Sequence, residues 1–393
     1  MKIIVITPNY PPTICGVGDH SFHLVQSLLK QGIAVDVICS ATQTAAQSRG
    51  ETIYPVLKHW DTEGVQLVQK LIADIQPDWV IVQMIAYGYE KRGLPFNVLS
   101  FYAHLKHAHI KVLTVFHEVR IRPEGDIRKW VVGRLQTYIA RQMAKMSTKI
   151  VTSIDFYADI LRGGQEDLPI NIIPIGSGIA PVAVSEATKQ LLKQRHNIPI
   201  NAPVVVTFGN RNIEIYLKAF DQLAQDYLNF IWLLCGKTGA SVAVIKSRSY
   251  IRHTGEMSAS DIYQALSLGD AAFLPEPVNQ KMEGGSSNKS TALACVLSLG
   301  IPVVGVKGDM NNTLLKHENN ILLVDIHQPN TLYESLKYCL STEGAKKMGQ
   351  EAKELYQTAL SWNVLSKQFL TLMDIEPNNQ HKPLLKEVES SNK

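Results

Sequence analysis

Short apolar runs rich in β-branched residues alternate with stretches of helical period along this chain, and the alternation is written twice over. No other feature restricts the fold as much. The first series has strands at Lys2–Thr7, Ala34–Cys39, Trp79–Gln83, Lys111–Phe116 and Lys149–Thr152, with amphipathic helices such as Asp19–Gln31 and Thr62–Ile75 between them. The second has Pro203–Gly209, Phe230–Gly236, Tyr250–Thr254, Ala271–Leu274, Ile301–Val306 and Ile321–Val324. Strands spaced this way, with a helix between each pair, form parallel α/β sheets. A linker-like stretch, Gly176–Ala202, separates the series and holds a short helix around Glu186–His196. The 393 residues are too many for one ordinary core. The expected architecture is therefore α/β with two doubly wound, Rossmann-like domains whose strands point their carboxyl ends at a shared cleft.

Composition excludes several classes. The chain is 45% apolar and 19% charged, and no apolar run approaches the roughly 18 residues that span a bilayer. MKIIVITPNY reads as a strand entering a Pro-rich loop, not as a signal peptide, so a cytoplasmic protein is expected. Five scattered cysteines (Cys15, Cys39, Cys235, Cys295, Cys339) show no CxxC pairing, which argues against a zinc site or a disulfide framework. No metal is expected. Between Lys106 and Lys149 ten Lys/Arg face three acids, and Trp130, Val131 and Val132 lie among them. Such a segment suits peripheral association with an anionic membrane at its inner face or a phosphorylated acceptor; the alternative is a solvated helix face. Nothing in it resembles a nucleic-acid motif, and nucleic acid is not an expected partner.

The run Glu283–Gly305, EGGSSNKSTALACVLSLGIPVVG, reads as a polar glycine loop, an apolar helix over Thr291–Leu299 and a buried strand. Gly284 and Gly285 permit close backbone approach, Ser286, Ser287 and Ser290 are short donors, and Lys289 adds a positive charge. Loops of this make-up hold phosphate; a Ser/Gly-rich helix cap without a ligand is the bland alternative. Gly16 and Gly18 open the first domain's helix in a similar way, or simply make a tight turn. A dinucleotide fingerprint would need a third Gly where Ser21 stands, which argues against NAD as a ligand.

Several stretches resemble the family 4 retaining glycosyltransferases, which have the GT-B fold. PNYPPTICGVGDHSFHLVQSLLKQGIAVDVI looks like the family's amino terminus, and VLTVFHE (Val112–Glu118) like the strand that ends in its active-site His. IIPIGSG, VTFGNRNIEIYLKAF, DIYQALSLGDAAFLPEP and SWNVLSKQFLTLMD follow in the family's order and cover almost the whole chain. The resemblance implies an acceptor-side domain over 1–178, a nucleotide-sugar-binding domain over 179–356, and a helix over 357–375 that crosses back to the first domain. A polar tail over 376–393 is expected to be disordered. Two departures stand out. The family commonly has two glutamates eight positions apart, and counting back from Gly300 puts Ser287 and Cys295 there. Other members carry an acidic-Gly-x-Ser stretch followed by basic residues, which Glu283, Gly284, Ser286 and Lys289 fit, so the sugar-contacting acid is carried to Glu283. The loop that usually supplies an Arg and a Lys is shortened to Gly209, Asn210 and Arg211.

The implied activity is transfer of a hexosyl group, with retention, from a UDP- or GDP-sugar to a glycan or lipid-linked acceptor, as in polysaccharide synthesis. A metal-independent site must stabilise the departing diphosphate with fixed cations and N–H dipoles. Arg211 and Lys289 fill that role, with Ser287, Asn288 and Ser290 beside them and Gly16 and Gly18 on the other side of the cleft. His117 and Glu283 are the catalytic candidates, and Asp19 and His20 the acceptor-side ones. No cofactor is expected. Two other readings stay open: a nucleotide-sugar epimerase, and a non-catalytic nucleotide-sugar-binding or partner protein.

Overall fold

In a computed structural model, residues 1–13, 15–41, 48–328 and 330–376 are described; all of the expected tail but Glu376 lies outside them. Among the described residues there are thirteen strands, in two sheets. The first comprises β1 (Lys2–Ile6), β2 (Ala34–Ser40), β3 (Thr52–Leu57), β4 (Trp79–Met84), β5 (Val112–Phe116), β6 (Lys149–Thr152) and β7 (Ile170–Ile172), in the order β3-β2-β1-β4-β5-β6-β7. The second comprises β8 (Val204–Phe208), β9 (Ile231–Cys235), β10 (Ile251–His253), β11 (Ala271–Phe273), β12 (Val303–Val306) and β13 (Leu322–Val324), in the order β10-β9-β8-β11-β12-β13. Every second-sheet pair runs parallel. Each order reverses at its first strand, as in doubly wound sheets.

The second sheet shows why its strands read as continuous apolar runs. Val204 and Val206 enter one core with Ile231 and Leu233. Val205 enters the other, with Trp232 and Leu234. Successive side chains leave opposite faces of a strand, so a sheet covered on both sides needs every position apolar. Phe220 stacks on Trp232 at 3.4 Å and 7°, and the buried indole N–H donates to Thr207 Oγ1 at 2.9 Å.

Two strands went unread in the sequence. β3 contains Pro55, and proline in a sheet is confined to an edge, which is where β3 lies. β7 has only three residues, also at an edge.

The chain divides into two compact units. One holds Met1–Val115, Arg120–Ile150 and the segment from Ser366; the other holds Phe116–Val119 and Val151–Leu365. The helix Trp362–Leu372 begins in the second unit, where the Trp362 indole N–H donates to Ser177 O at 2.7 Å. It ends in the first, where Ser366 is fully buried and lies 2.8 Å from the Ser27 hydroxyl. No described helix is long and apolar enough to cross a membrane.

Candidate functional site

In the second unit the chain leaves the carboxyl end of β11 and turns through Pro277–Ser290 before the helix Thr291–Leu297. Gly284 and Gly285 have φ of 118° and 87°. A Cβ on Gly284 would sit 2.2 Å from the Pro277 carbonyl oxygen, and one on Gly285 would sit 2.8 Å from Gly308 N. The glycines are thus required by the loop itself. Their N–H groups are also spent within it: Gly284 donates to Asp309 Oδ1 at 2.8 Å, and Gly285 to Pro277 O at 2.9 Å. Ser286 donates to Val306 O at 2.8 Å, and its hydroxyl accepts from Val306 N–H.

Donors become available one residue later. Among the described residues, the backbone N–H groups of Ser287, Asn288 and Lys289 donate to no protein group. Asn288 is 2% exposed; its Nδ2 donates to Asn312 Oδ1 at 2.8 Å, and its own Oδ1 is buried with no partner. Lys289 has no carboxylate partner among the described residues: its ammonium donates to the Tyr157 hydroxyl at 3.2 Å and lies 5.6 Å from that ring's centre. Its charge is therefore held in place but not cancelled.

Arg211 is treated differently. Both guanidinium nitrogens donate to Glu276, Nη1 to Oε2 and Nη2 to Oε1, each at 2.8 Å. The side chains are 21% and 12% exposed, which makes this a fork-to-fork pair largely out of water. Glu276 Oε1 also accepts from the Ser290 hydroxyl at 2.9 Å, and that hydroxyl in turn caps the helix by accepting from Leu293 N–H. Burial first, and the nearby Glu276 carboxylate second, push the Tyr216 phenol up to about 12. Glu276 and Tyr157 were not singled out in the sequence. Glu276 carried a usable signal, as an acid just past the end of an α/β strand; Tyr157 lies 132 positions from Lys289 and carried none.

Glu283 is tied to Asn279. Asn279 Nδ2 donates to Glu283 Oε2 at 2.7 Å, and Glu283 N–H donates to Asn279 Oδ1 at 3.1 Å. The two positions where the family's acids were sought are both inside the protein, Ser287 at 2% and Cys295 at 0% exposure. Burial raises the Cys295 thiol to about 12, and a carboxylate there would be desolvated in the same way. His117, just beyond β5 and 7% exposed, has its pKa lowered by burial to about 4, which keeps the imidazole neutral at pH 7.

Gly16, Gly18, Asp19 and His20 belong to the first unit, on the first turn of the helix Gly16–Lys30. A Cβ on Gly16 would meet nothing within 4 Å, whereas one on Gly18 would lie 3.1 Å from Asn9 O, so close helix packing accounts for Gly18. Asp19 is not the helix cap: Cys15 occupies that position, and Asp19 N–H donates to Cys15 O. Burial raises the Asp19 carboxyl to about 6. His20 is 2% exposed. Two cavities of about 770 and 660 Å³ in the second unit contain none of the sequence-chosen residues. The described residues contain no group of three or more His, Cys, Asp or Glu arranged to hold a metal ion.

No protein-family model matches the chain, and no curated protein matches its sequence. Solved structures do. A glycosyltransferase from Rickettsia africae is 15% identical, with a TM-score of 0.64 over 95% of this chain and 97% of that one. Anabaena Alr3699/HepE in complex with UDP is 14% identical, with a TM-score of 0.64 over 95% and 100%. The UDP-GlcNAc 2-epimerase of Neisseria meningitidis, bound to UDP-GlcNAc, is 12% identical, with a TM-score of 0.57 over 95% and 99%. The shared property is the fold, two Rossmann-like domains of the GT-B type.

Proposed function

We propose that the chain is a glycosyltransferase that takes a hexosyl group from a UDP- or GDP-sugar, without a metal, and passes it with retention to a glycan or lipid-linked acceptor. The observation that carries this is the segment Ser287–Asn288–Lys289, where three unspent backbone N–H groups and an uncancelled ammonium follow one another in a glycine-built loop. A departing diphosphate needs such donors fixed in advance, because reorienting them during the reaction would cost part of the stabilisation they give. The fold is one in which Alr3699/HepE holds UDP and UDP-glucose.

The remaining roles belong to the same proposal. Arg211 joins Lys289 in neutralising the diphosphate when it exchanges Glu276 for phosphate oxygens. Ser290, hydrogen-bonded to Glu276, registers that exchange. His117, neutral at pH 7, can accept or donate one hydrogen bond to a donor hydroxyl. Glu283, oriented by Asn279, is assigned to the sugar. Asp19, His20 and the turn at Gly16 and Gly18 serve the acceptor side. With no carboxylate assigned as a covalent nucleophile, front-face displacement is proposed, in which the leaving diphosphate helps deprotonate the acceptor.

Two observations favour a second reading. Arg211 is already paired and Cys295 is buried, as in a protein that has kept nucleotide-sugar binding but not turnover. Hydrolysis and thermal shift with UDP-, GDP- and ADP-sugars, with and without EDTA, separate the readings. Stabilisation together with EDTA-resistant sugar release supports the transferase. Stabilisation alone supports the binding protein, and neither response with any nucleotide removes the donor site.

A further inference from the structure

The helix Ile127–Met146, in the first unit, is acid-free over its 20 residues and carries Arg128, Lys129, Arg134, Arg141 and Lys145. It packs through Gly133, Gln136, Ile139, Ala140 and Met143. The opposite face is apolar where solvent would be expected: Ile127 is 71% exposed, Trp130 50%, Val131 44%, Leu135 36% and Tyr138 53%. At 100° per residue, Ile127, Trp130, Val131, Arg134, Tyr138, Arg141 and Lys145 fall within about 60° of one line along the helix. Val132, grouped with its neighbours on sequence, turns away and is half-buried. The Arg134 guanidinium lies 5.5 Å from the centre of the Trp130 ring, so cation and aromatic share the face.

Charge decides what can cover it. Lys129 is paired with Glu124, but Arg128, Arg134 and Lys145 have no carboxylate partner among the described residues. A second copy of the chain meeting the same face about a two-fold axis would set these cations against their own images, with no acid on the helix to answer them. An anionic lipid surface answers them all at once and also accepts Trp and Tyr at headgroup depth.

We propose that this face docks the protein on anionic membrane, with Ile127, Trp130, Val131 and Tyr138 entering the headgroup layer and Arg128, Arg134 and Lys145 contacting phosphates. Docking here deepens the proposed lipid-linked acceptor class, yet it uses the first unit alone and does not need the loop at Lys289.

The test is sedimentation of the full chain with vesicles of phosphatidylglycerol and phosphatidylcholine, or of phosphatidylcholine alone, in about 0.1 and 0.5 M salt. Binding is expected only to the anionic vesicles and should weaken in high salt. Each of Arg128→Gln, Arg134→Gln and Lys145→Gln should lower the partition coefficient about fivefold. Trp130→Ser should lower it further while leaving the melting temperature and UDP binding unchanged, because the residue is exposed and outside the donor loop. Equal binding to both vesicle types, or no binding to either, overturns the inference. So does sedimentation that survives both Trp130→Ser and the combined Arg128→Gln/Arg134→Gln change. A dimer in solution that Trp130→Ser dissolves would overturn it in favour of self-association. Absence of nucleotide binding by the wild-type chain, with vesicle binding intact, would fault the donor site alone.

Discussion

The turn after β8 and the loop after β11 meet at the hydrogen bonds around Glu276, and each contributes one cation, but they hold those cations in opposite ways. Arg211 is gripped by a carboxylate through two short hydrogen bonds. Lys289 rests on the Tyr157 hydroxyl. The backbones differ in the same sense: a Cβ on Gly209 would find only Arg211 Nε, at 3.6 Å, whereas one on Gly284 would be driven onto a carbonyl. One turn is soft and its charge is cancelled; the other is geometrically fixed and its charge is retained. A protein with two equivalent phosphate grips would show no such contrast. This arrangement suits a standing anion site at Lys289 and a conditional one at Arg211, available once Glu276 lets go.

The contrast can be broken at several points. Gly284→Ala should destabilise the fold by about 2–4 kcal/mol, because it combines positive-φ strain with a backbone overlap. Gly209→Ala has φ of 96° but open space, and should cost only about 1–2 kcal/mol. Equal midpoints for the two variants in denaturant titrations would erase the backbone half of the comparison. Lys289→Ala should lower nucleotide-sugar affinity or turnover by roughly ten- to several-hundredfold, equivalent to one to a few kcal/mol. Arg211→Ala should cost less in affinity than Lys289→Ala, but more in stability, since it strands a carboxylate that is 12% exposed. Calorimetric titration with UDP and GDP, run beside melting curves, reads both quantities.

The smallest expected effect is in pH dependence. His117 has a folded pKa of about 4 against an ordinary 6.5. Between those values the unfolded chain binds the extra proton, so stability falls as pH drops from 6.5 to 4. Asp19 works the other way: its folded value of about 6 stands above the ordinary 3.8, so its contribution is lost as pH rises through that window. The two oppose one another between pH 4 and 6. His117→Asn should flatten the acid-side decline and Asp19→Asn should steepen it, as read from melting temperatures at pH 4.5, 5.5 and 7.

Much of this was readable from the sequence because the second sheet is covered on both faces, which makes its strands continuous apolar runs with little ambiguity. The helix Thr62–Ile75 was placed to the residue because Asp61 accepts from Gly64 N–H to start it and Gln76, in a left-handed conformation, stops it. β3 was lost to Pro55, since the same residue that marks an edge strand also weakens the strand pattern. The glycine loop was legible as a loop, but its donors lie one step later than composition suggests: Gly284 and Gly285 spend theirs internally, and Ser287 to Lys289 keep theirs. The pairing of Arg211 with Glu276 spans 65 positions and appears only when the ends of β8 and β11 are neighbours.

The most direct test pairs two variants expected to move in opposite directions. Dissociation constants for UDP and GDP would be measured on the wild type, Lys289→Ala and Glu276→Gln at low salt and in EDTA. Lys289→Ala should weaken the preferred nucleotide at least tenfold, and Glu276→Gln, by releasing Arg211 from a competing charge, should tighten it about three- to tenfold. If the wild type binds neither nucleotide, or if both variants bind as it does, then the loop at Lys289 is not a diphosphate site and the account of the second unit fails.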